Sequence, residues 1–83
     1  MEIVEIIKES GRQKRLLYIK AREKDGSIEP REVEPYSFRH KKSGTLFYGW
    51  DVVKNQIRSF RVDRIIEVKI TEKEFTPRFP IEF

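Results

Sequence analysis

Three arginines follow one another at three-residue intervals in the stretch IRSFRVDRI, at Arg58, Arg61 and Arg64. A guanidinium group keeps its charge at physiological pH, and its planar fork binds phosphate or carboxylate oxygens in pairs. Brought together, these side chains would form a site for an anion. The alternative is a set of structural ion pairs, for which the candidate carboxylates are Asp51, Asp63 and Glu67.

Two further groups of residues have the chemistry to contact a nucleic acid. The segment RHKKSG is a basic loop whose His40, Lys41 and Lys42 are placed to contact phosphates, the alternative being plain solvated charge. Tyr48 and Trp50 are two positions apart in a predicted strand, so they share a face and form a candidate stacking platform for bases. For this aromatic pair, burial in the core is an equally good interpretation.

Catalytic patterns are weak in this sequence. Asp51 with Glu67-Val68-Lys69 has the Asp…Glu-x-Lys form of metal-dependent nucleases, but Glu-x-Lys in a strand is far more often an outward-facing charge pair. There is one histidine and no cysteine, and no Ser-His-Asp order or phosphate-cradling glycine loop is present. We therefore predict a protein that is not an enzyme and that uses no metal or cofactor.

Composition points to one small domain, and the charge is unevenly distributed. The chain has 83 residues and a net charge of +4, and the range 36–64 carries seven basic against two acidic side chains. Such regional charge attracts polyanions. Neither a secretory leader nor an apolar run of about 18 residues is present, so a soluble cytoplasmic protein is expected.

The order of predicted elements is one helix and then five strands. Ile3, Ile6 and Ile7 predict a helix over residues 1–11, with Gly11 as its C-terminal cap. The strands are RLLYIKAR, IEPREVEPYSF, TLFYGWDVV, QIRSFRV and IIEVKIT, with turns at Asp25–Gly26, Lys54–Asn55 and Asp63–Arg64. Pro30 and Pro35 restrict the second strand to an edge or a bulged position.

This order predicts a mainly β fold, a small five-stranded Sm-like β-barrel with an N-terminal α-helix. We treat residues 1–83 as a single domain, with the barrel over 14–71 and a tail over 72–83. The tail ends in FTPRFPIEF, which is too apolar to remain exposed to solvent. It is expected to lie across the barrel or to pair with a second subunit, and binding a separate partner is the less favoured alternative.

Residues 14–71 resemble the WYL domain, a small Sm-like barrel found in bacterial transcription regulators and CRISPR-associated regulators. The resemblance depends on the arginine block with Asp63-Arg64-Ile65, and on the pattern Arg31-x-Val33-x-Pro35. Aligning Gly49-Trp50-Asp51 with the family's glycine–aromatic–aspartate places the naming triplet at 45–47, where this chain has Thr-Leu-Phe. A ligand-contacting tyrosine would then be lost, or replaced by Tyr48 or Trp50.

The resemblance implies an effector-binding module whose basic, aromatic-lined groove holds a nucleotide or single-stranded nucleic acid, in transcriptional or defence-system regulation. It also implies that at least two of the three arginines converge on an anion. No helix-turn-helix precedes the domain, so we expect a stand-alone form or a DNA-binding protein partner in trans, and a homo-oligomer, with a dimer favoured. The alternative is a protein-interaction module that assembles through its edge strands and aromatic tail.

Overall fold

The computed structural model describes residues 2–83. Its elements are α1 (Ile3–Gln13), β1 (Arg15–Arg22), β2 (Ile28–Lys41), β3 (Gly44–Asp51), β4 (Gln56–Arg61), a 3₁₀ turn (Val62–Arg64) and β5 (Ile65–Glu74). The predicted mainly β class, with one N-terminal helix and five strands, is confirmed. The predicted turn at Asp63–Arg64 is also present, as the 3₁₀ turn Val62–Arg64.

The five strands form one antiparallel sheet in the order β4-β3-β2-β1-β5. Over residues 2–83, β4 and β5 are its two edges and do not pair with each other, so the sheet is open. The closed barrel of the prediction is therefore not confirmed. No helix in this part of the chain is long and apolar enough to cross a bilayer.

Helix α1 ends two residues later than predicted, and Gly11 is not its cap. The helix ends at Gln13, and Lys14 takes the left-handed conformation, with φ of 54°. Gly11 is buried inside the helix, where a β-carbon would lie 2.6 Å from a ring carbon of Phe83. Glycine is thus needed here for the close approach of another side chain and not for a turn.

Strand β2 lies in the interior of the sheet, between β1 and β3, despite its prolines. The prediction offered an edge or a bulge, and the structure has the bulge: the register against β3 shifts between Pro35 and Ser37. The strand also continues to Lys41, so the predicted loop RHKKSG is mostly strand. The chain turns back through Lys42 and Ser43 only, and Gly44 adopts a φ of +130°.

The hydrophobic core lies between one face of the sheet and α1. Its buried members are Ile7, Leu17, Ile19, Ala21, Val33, Phe47, Phe60, Ile65 and Val68. On β3, burial alternates strictly, since Phe47, Gly49 and Asp51 are buried and the residues between them are only partly covered. Strand alternation therefore fixes which side chains of β3 and β4 face the interior.

The C-terminal tail lies across the sheet of its own chain. The Phe75 amide donates to the Lys14 carbonyl (2.9 Å), and the Glu82 amide donates to the Tyr36 carbonyl (2.8 Å). The Phe83 ring packs against Phe38 with centroids 5.3 Å apart. The first of the predicted placements, in which the tail covers its own sheet, is the one adopted.

Candidate functional site

A groove of about 920 Å³ lies between the β1–β2 turn and β4. Its walls come from residues 21–31 around the β1–β2 turn, from 41–46 around the β2–β3 turn, and from 56–64 on β4 and the 3₁₀ turn; we call it the main groove. Seven basic and three acidic side chains line it. The basic ones include Arg58, Arg61, Arg64 and Lys41 of the sequence prediction.

Arg58 enters the groove from the inner face of β4. It stands opposite Gly49 in the β3–β4 register and shares a face with the buried Phe60. Its guanidinium Nη2 lies 3.8 Å from a carboxylate oxygen of Glu23, too long for a hydrogen bond, and 26% of the side chain is exposed. Arg58 is therefore a half-buried cation whose donors are largely unused.

Arg61 lines the same groove but is already engaged. Its Nε and Nη2 donate to the two carboxylate oxygens of Asp63 at 3.2 and 3.0 Å, and Nη2 also donates to the Ser43 carbonyl at 2.6 Å. The hydrogen bonds raise the pKa of Arg61 and lower that of Asp63. Of the ion pairs considered for the three arginines, the Arg61–Asp63 pair is present, and the bond from Arg61 to the Ser43 carbonyl ties β4 to the β2–β3 turn.

Arg64 and Lys41 are exposed cations of the groove, as are Arg22 and Lys24 on the wall near the β1–β2 turn. Arg64 lies in the 3₁₀ turn, and Lys41 is the last residue of β2. Neither side chain makes a hydrogen bond or ion pair with any residue of 2–83. With Arg58 they form a group of three positively charged side chains with free donors on one groove.

The other two residues of the predicted basic loop lie outside the main groove. His40 Nδ1 is 3.0 Å from the Thr45 hydroxyl across the β2–β3 hairpin. Lys42 is exposed in the two-residue turn. Because β2 runs on to Lys41, successive side chains of this segment point to opposite faces, and only Lys41 reaches the groove.

Tyr48 and Trp50 do not line the main groove, so the predicted aromatic lining is not brought together with the arginines. The buried face of β3 is that of Phe47 and Gly49, which sends Tyr48 and Trp50 to the opposite face. Tyr48 borders a separate depression of about 480 Å³ beside Ser37 and Glu82. Among residues 2–83 the aromatic side chain that lines the main groove is Phe60.

Trp50 is covered by the tail. The guanidinium carbon of Arg78 lies 4.6 Å from its ring centroid, and the Phe79 ring is 6.0 Å away. Arg78 also binds Glu34, which is 3% exposed, through two bonds of 3.0 Å. The tail therefore takes the face of Trp50 that would otherwise be offered to a base.

Tyr36 completes this attachment of the tail. Its hydroxyl donates to the buried Glu34 carboxylate and accepts the Arg78 backbone amide at 3.0 Å. Burial, together with the neighbouring Glu34, raises the pKa of Tyr36 to about 12. Four polar groups of β2 and the tail thus satisfy one another beneath the aromatic rings.

A buried arginine that the sequence analysis treated only as part of a motif lies at the side of the main groove. Arg31 is 7% exposed, and its guanidinium donates to Asp51 (3.0 Å), Glu23 (3.2 Å) and Glu29 (2.9 Å). The signal was available in the sequence, because Arg31 alternates in step with Val33 on the buried face. A buried guanidinium requires carboxylates, and these three supply them.

Both members of the innermost pair keep their charge. Burial opposes the charged form of Asp51, but the Lys54 and Val53 amides and Arg31 donate to its carboxylate and lower its pKa. Burial likewise opposes the charge on Arg31, and its bonds to Asp51 and Glu23 outweigh this and raise its pKa. Asp51 therefore fixes both the β3–β4 turn and the orientation of Arg31.

The carboxylates of the nuclease-like pattern serve separate ion pairs. Asp51 binds Arg31, whereas Glu67 lies 3.9 Å from Lys20 and 3.5 Å from Lys69. Within residues 2–83 no three His, Asp or Glu side chains are grouped so that they could hold a metal ion. The Glu-x-Lys sequence is here an outward-facing charge pair on β5.

Comparison with known proteins gives one family and a fold. The family model described as the WYL domain matches residues 2–70. No curated protein matches the chain. Among solved structures, proteasome accessory factor B/C (PafBC) of Arthrobacter aurescens superposes with a TM-score of 0.77 at 20% sequence identity, over 93% of this chain and 13% of that one. The chain thus spans about one-eighth of that protein's length, and the likeness is one of fold.

Proposed function

This chain belongs to the WYL domain family, and we propose that it is a non-catalytic regulatory module that binds a nucleotide or a short single-stranded nucleic acid in the main groove. The observation that supports the proposal is the group of free cations on one groove. Arg58, Arg64 and Lys41 face a common volume of about 920 Å³, and none of them forms a hydrogen bond to a carboxylate within residues 2–83.

Phosphate is the anion that these side chains suit best. Guanidinium groups bind its oxygens in pairs, and successive phosphates of a strand are spaced so that several cations act on one ligand. Arg61 has a different part, since its bonds to Asp63 and Ser43 hold the groove wall in place. We therefore assign direct phosphate contacts to Arg58, Arg64 and Lys41, and the support of β4 to Arg61.

Binding through about three phosphates should weaken steeply with salt. For single strands, the slope of log affinity against log salt is about −0.7 per neutralised phosphate, which gives a slope of roughly −2. The base is then held by groove walls other than the Tyr48–Trp50 platform. Tryptophan fluorescence reports on Trp50 alone, because the chain has a single tryptophan. Since Trp50 lies outside the main groove, this fluorescence should change little when a strand binds.

The test is fluorescence anisotropy with a labelled five-nucleotide single strand at several salt concentrations. Arg58→Gln with Arg64→Gln removes two groove charges and should weaken binding about tenfold or more. The matched control is Arg12→Gln with Lys69→Gln, which removes the same charge at side chains that are 57% and 68% exposed and outside the groove. The control should lose no more than about twofold, through long-range charge alone.

Equal binding by the wild type and the groove variant would contradict the proposal. Equal losses in the groove and control variants would show attraction to net charge without a site. Strong quenching of Trp50 would move the binding surface to the opposite face of the sheet. A nucleotide or oligonucleotide that co-purifies with the wild type and is lost in the groove variant would identify the ligand by mass spectrometry.

How binding reaches a target is also part of the proposal. Residues 2–83 hold one helix and an open sheet, so a transcriptional or defence-system output needs a second element. We propose a DNA-binding protein partner in trans, and a homodimer as the working form of the module. Sizing by light scattering, alone and with ligand, tests the dimer directly.

A second candidate function, assembly with other proteins, is favoured by the two open edges of the sheet. β4 and β5 have unpaired outer edges, and Ile57 and Ile66 on them are 56% and 48% exposed. Ile66→Lys, at a β5 position outside the groove lining, should abolish association through the β5 edge while leaving groove binding intact. The tail is less suited to this role, because its aromatic rings pack on Tyr36, Phe38 and Trp50 of its own chain.

A further inference from the structure

We propose that the main groove selects phosphate-bearing ligands whose bases carry an exocyclic amino group, as adenine does. The inference rests on the proposed function, since it names which ligands the same groove prefers. It comes from the second wall of the groove, residues 21–31, where three acidic side chains lie among Arg22, Lys24 and Arg31; we call these three the acidic wall. The acidic side chains are Glu23, Asp25 and Glu29, all near the β1–β2 turn.

The hydrogen-bonding capacity of this wall is only partly used. Asp25 is occupied, because one of its oxygens accepts both the amide and the hydroxyl of Ser27. Glu23 and Glu29 each offer one oxygen to Arg31, at 3.2 and 2.9 Å. The second oxygen of each accepts no hydrogen bond from any residue of 2–83. Two carboxylate oxygens on the groove are therefore available to a ligand.

The acidic wall also carries more negative charge than Arg31 requires. Asp51, 1% exposed and 3.0 Å away, is by itself a sufficient partner for one guanidinium. Glu23 and Glu29 add two further negative charges, of which Arg58 offsets a part at 3.8 Å. Arg31 is 93% buried, lines the groove, and has an Nε–H without an acceptor among the described residues. Two carboxylate oxygens and the Arg31 Nε–H of this cluster are therefore left without hydrogen-bond partners among the described residues.

A ligand amino group would donate to the free carboxylate oxygens of this wall. An exocyclic amino group donates hydrogen bonds that a carboxylate accepts, which is how acidic side chains read such groups on bases. A base without that donor would set carbon or acceptor atoms against Glu23 and Glu29 and would leave them desolvated and unpaired. The volume of about 920 Å³ lies within the range of ligand pockets and admits a base together with its phosphate. Phosphate would then lie towards Arg58 and Arg64, and the amino edge of the base towards Glu29.

The experiment compares two five-nucleotide strands that differ only in the amino group, one of adenine and one of purine lacking the 6-amino group. Anisotropy is measured with the full chain for the wild type, Glu29→Gln and Glu32→Gln. Glutamine at 29 retains an oxygen for Arg31 but is a poorer acceptor for the ligand. Glu32→Gln is the matched control, because it removes the same charge from the other face of β2, where Glu32 pairs with Lys73. Thermal unfolding monitors folding of all three proteins.

The wild type should bind the adenine strand roughly fivefold tighter than the purine strand. In Glu29→Gln the affinities for the adenine and purine strands should become nearly equal. Affinity for the purine strand should be unchanged or slightly higher than in the wild type. Glu32→Gln should keep the preference. Any difference in base stacking between the strands is common to all three proteins, so it does not imitate this pattern.

If the wild type binds the adenine and purine strands equally tightly, and binding of both depends on salt, the inference is overturned and the proposed function stands. A preference that survives in Glu29→Gln would overturn the assignment to the acidic wall. Absence of salt-dependent binding to either strand would contradict the proposed function and this inference together.

Discussion

Arg31 is the charged residue that connects the other charged groups of the groove. It holds Glu23 and Glu29 in place, it neutralises the buried Asp51, and through Glu23 it is linked to Arg58 on the opposite wall. One carboxylate, Glu23, is thus shared between a structural cation and a binding one. An anion that takes Arg58 competes with Glu23 for it, so the acidic wall moderates affinity as well as selecting the ligand.

Replacing Asp51 by asparagine should destabilise the fold by about 3 kcal/mol at neutral pH. Asparagine keeps an oxygen for the Val53 and Lys54 amides but leaves the buried Arg31 without its innermost countercharge. Urea unfolding measures the change in the free energy of unfolding. Asp63→Asn, which removes an exposed carboxylate that is 65% accessible, is the control and should cost much less. Similar losses in the two variants would contradict the central role of the buried pair.

The same pair should make the protein sensitive to acid. The pKa of Asp51 is lowered in the folded state below the value of about 3.9 of an unfolded chain. The unfolded state then binds more protons, so the stability that Asp51 contributes is present above about pH 4 and is lost as the pH falls through and below that value. Melting temperature against pH should fall more steeply below pH 4 for the wild type than for Asp51→Asn. Parallel curves would contradict this assignment.

Residue types were easier to predict than residue partners. Arg58 was identified as a candidate anion-binding residue, and it stands on the inner face of β4, where strand alternation places it with the buried Phe60. Glu23, its partner, lies on a different hairpin, and no local pattern connects the two positions. The burial of Arg31 follows from its alternation with Val33, but the three carboxylates that make this burial tolerable come from β1, β2 and β3 and their turns.

At the scale of elements, α1 and the tail stabilise each other through one glycine. The Phe83 ring lies against Gly11, where a β-carbon would be 2.6 and 2.7 Å from two ring carbons. The contact joins the first helix to the last residue of the chain. It also explains why glycine occurs in the middle of a helix, where it ordinarily costs about 1 kcal/mol relative to alanine.

Gly11→Ala should therefore release the end of the tail without unfolding the sheet. The helix gains intrinsic stability, but the new methyl group displaces Phe83, which is the last residue and is free to swing away. Hydrogen exchange should show faster exchange at the Glu82 amide, which donates to Tyr36, while the amides of β1 and β2 keep their protection. Unchanged protection at Glu82 would contradict this coupling.

Element boundaries followed from the sequence where alternation is strong and failed where it is interrupted. RLLYIKAR alternates from Leu17 onward and becomes β1 with the predicted bounds, Arg15–Arg22. Gly11 was assigned as a cap because glycine usually ends a helix, but here a tertiary contact determines its place. The position of β2 depends on a bulge at Pro35–Ser37, which lets a proline-containing strand lie inside a sheet.

For the whole molecule, sheet order decides which charged groups share a surface. The regional excess of positive charge in 36–64 was visible in the sequence, and it maps partly onto the groove walls formed by Lys41 and β4. Its acidic counterpart was not visible, because residues 1–35 carry balanced charges, and only the fold sets Glu23 and Glu29 opposite the arginines. The Tyr48–Trp50 pair was assigned correctly to one strand face, but that face is the one covered by the tail.

The central claim is that nucleotide or single-stranded ligand binds in the main groove and not on the aromatic face. Titration of the isotope-labelled protein with a five-nucleotide single strand, followed by amide chemical shifts in NMR, tests this most directly. The account predicts the largest shifts in residues 22–29, 41–44 and 56–64, with small ones in 48–50 and 78–82. Shifts concentrated in 48–50 and 78–82, or none at ligand concentrations that saturate binding, would contradict it.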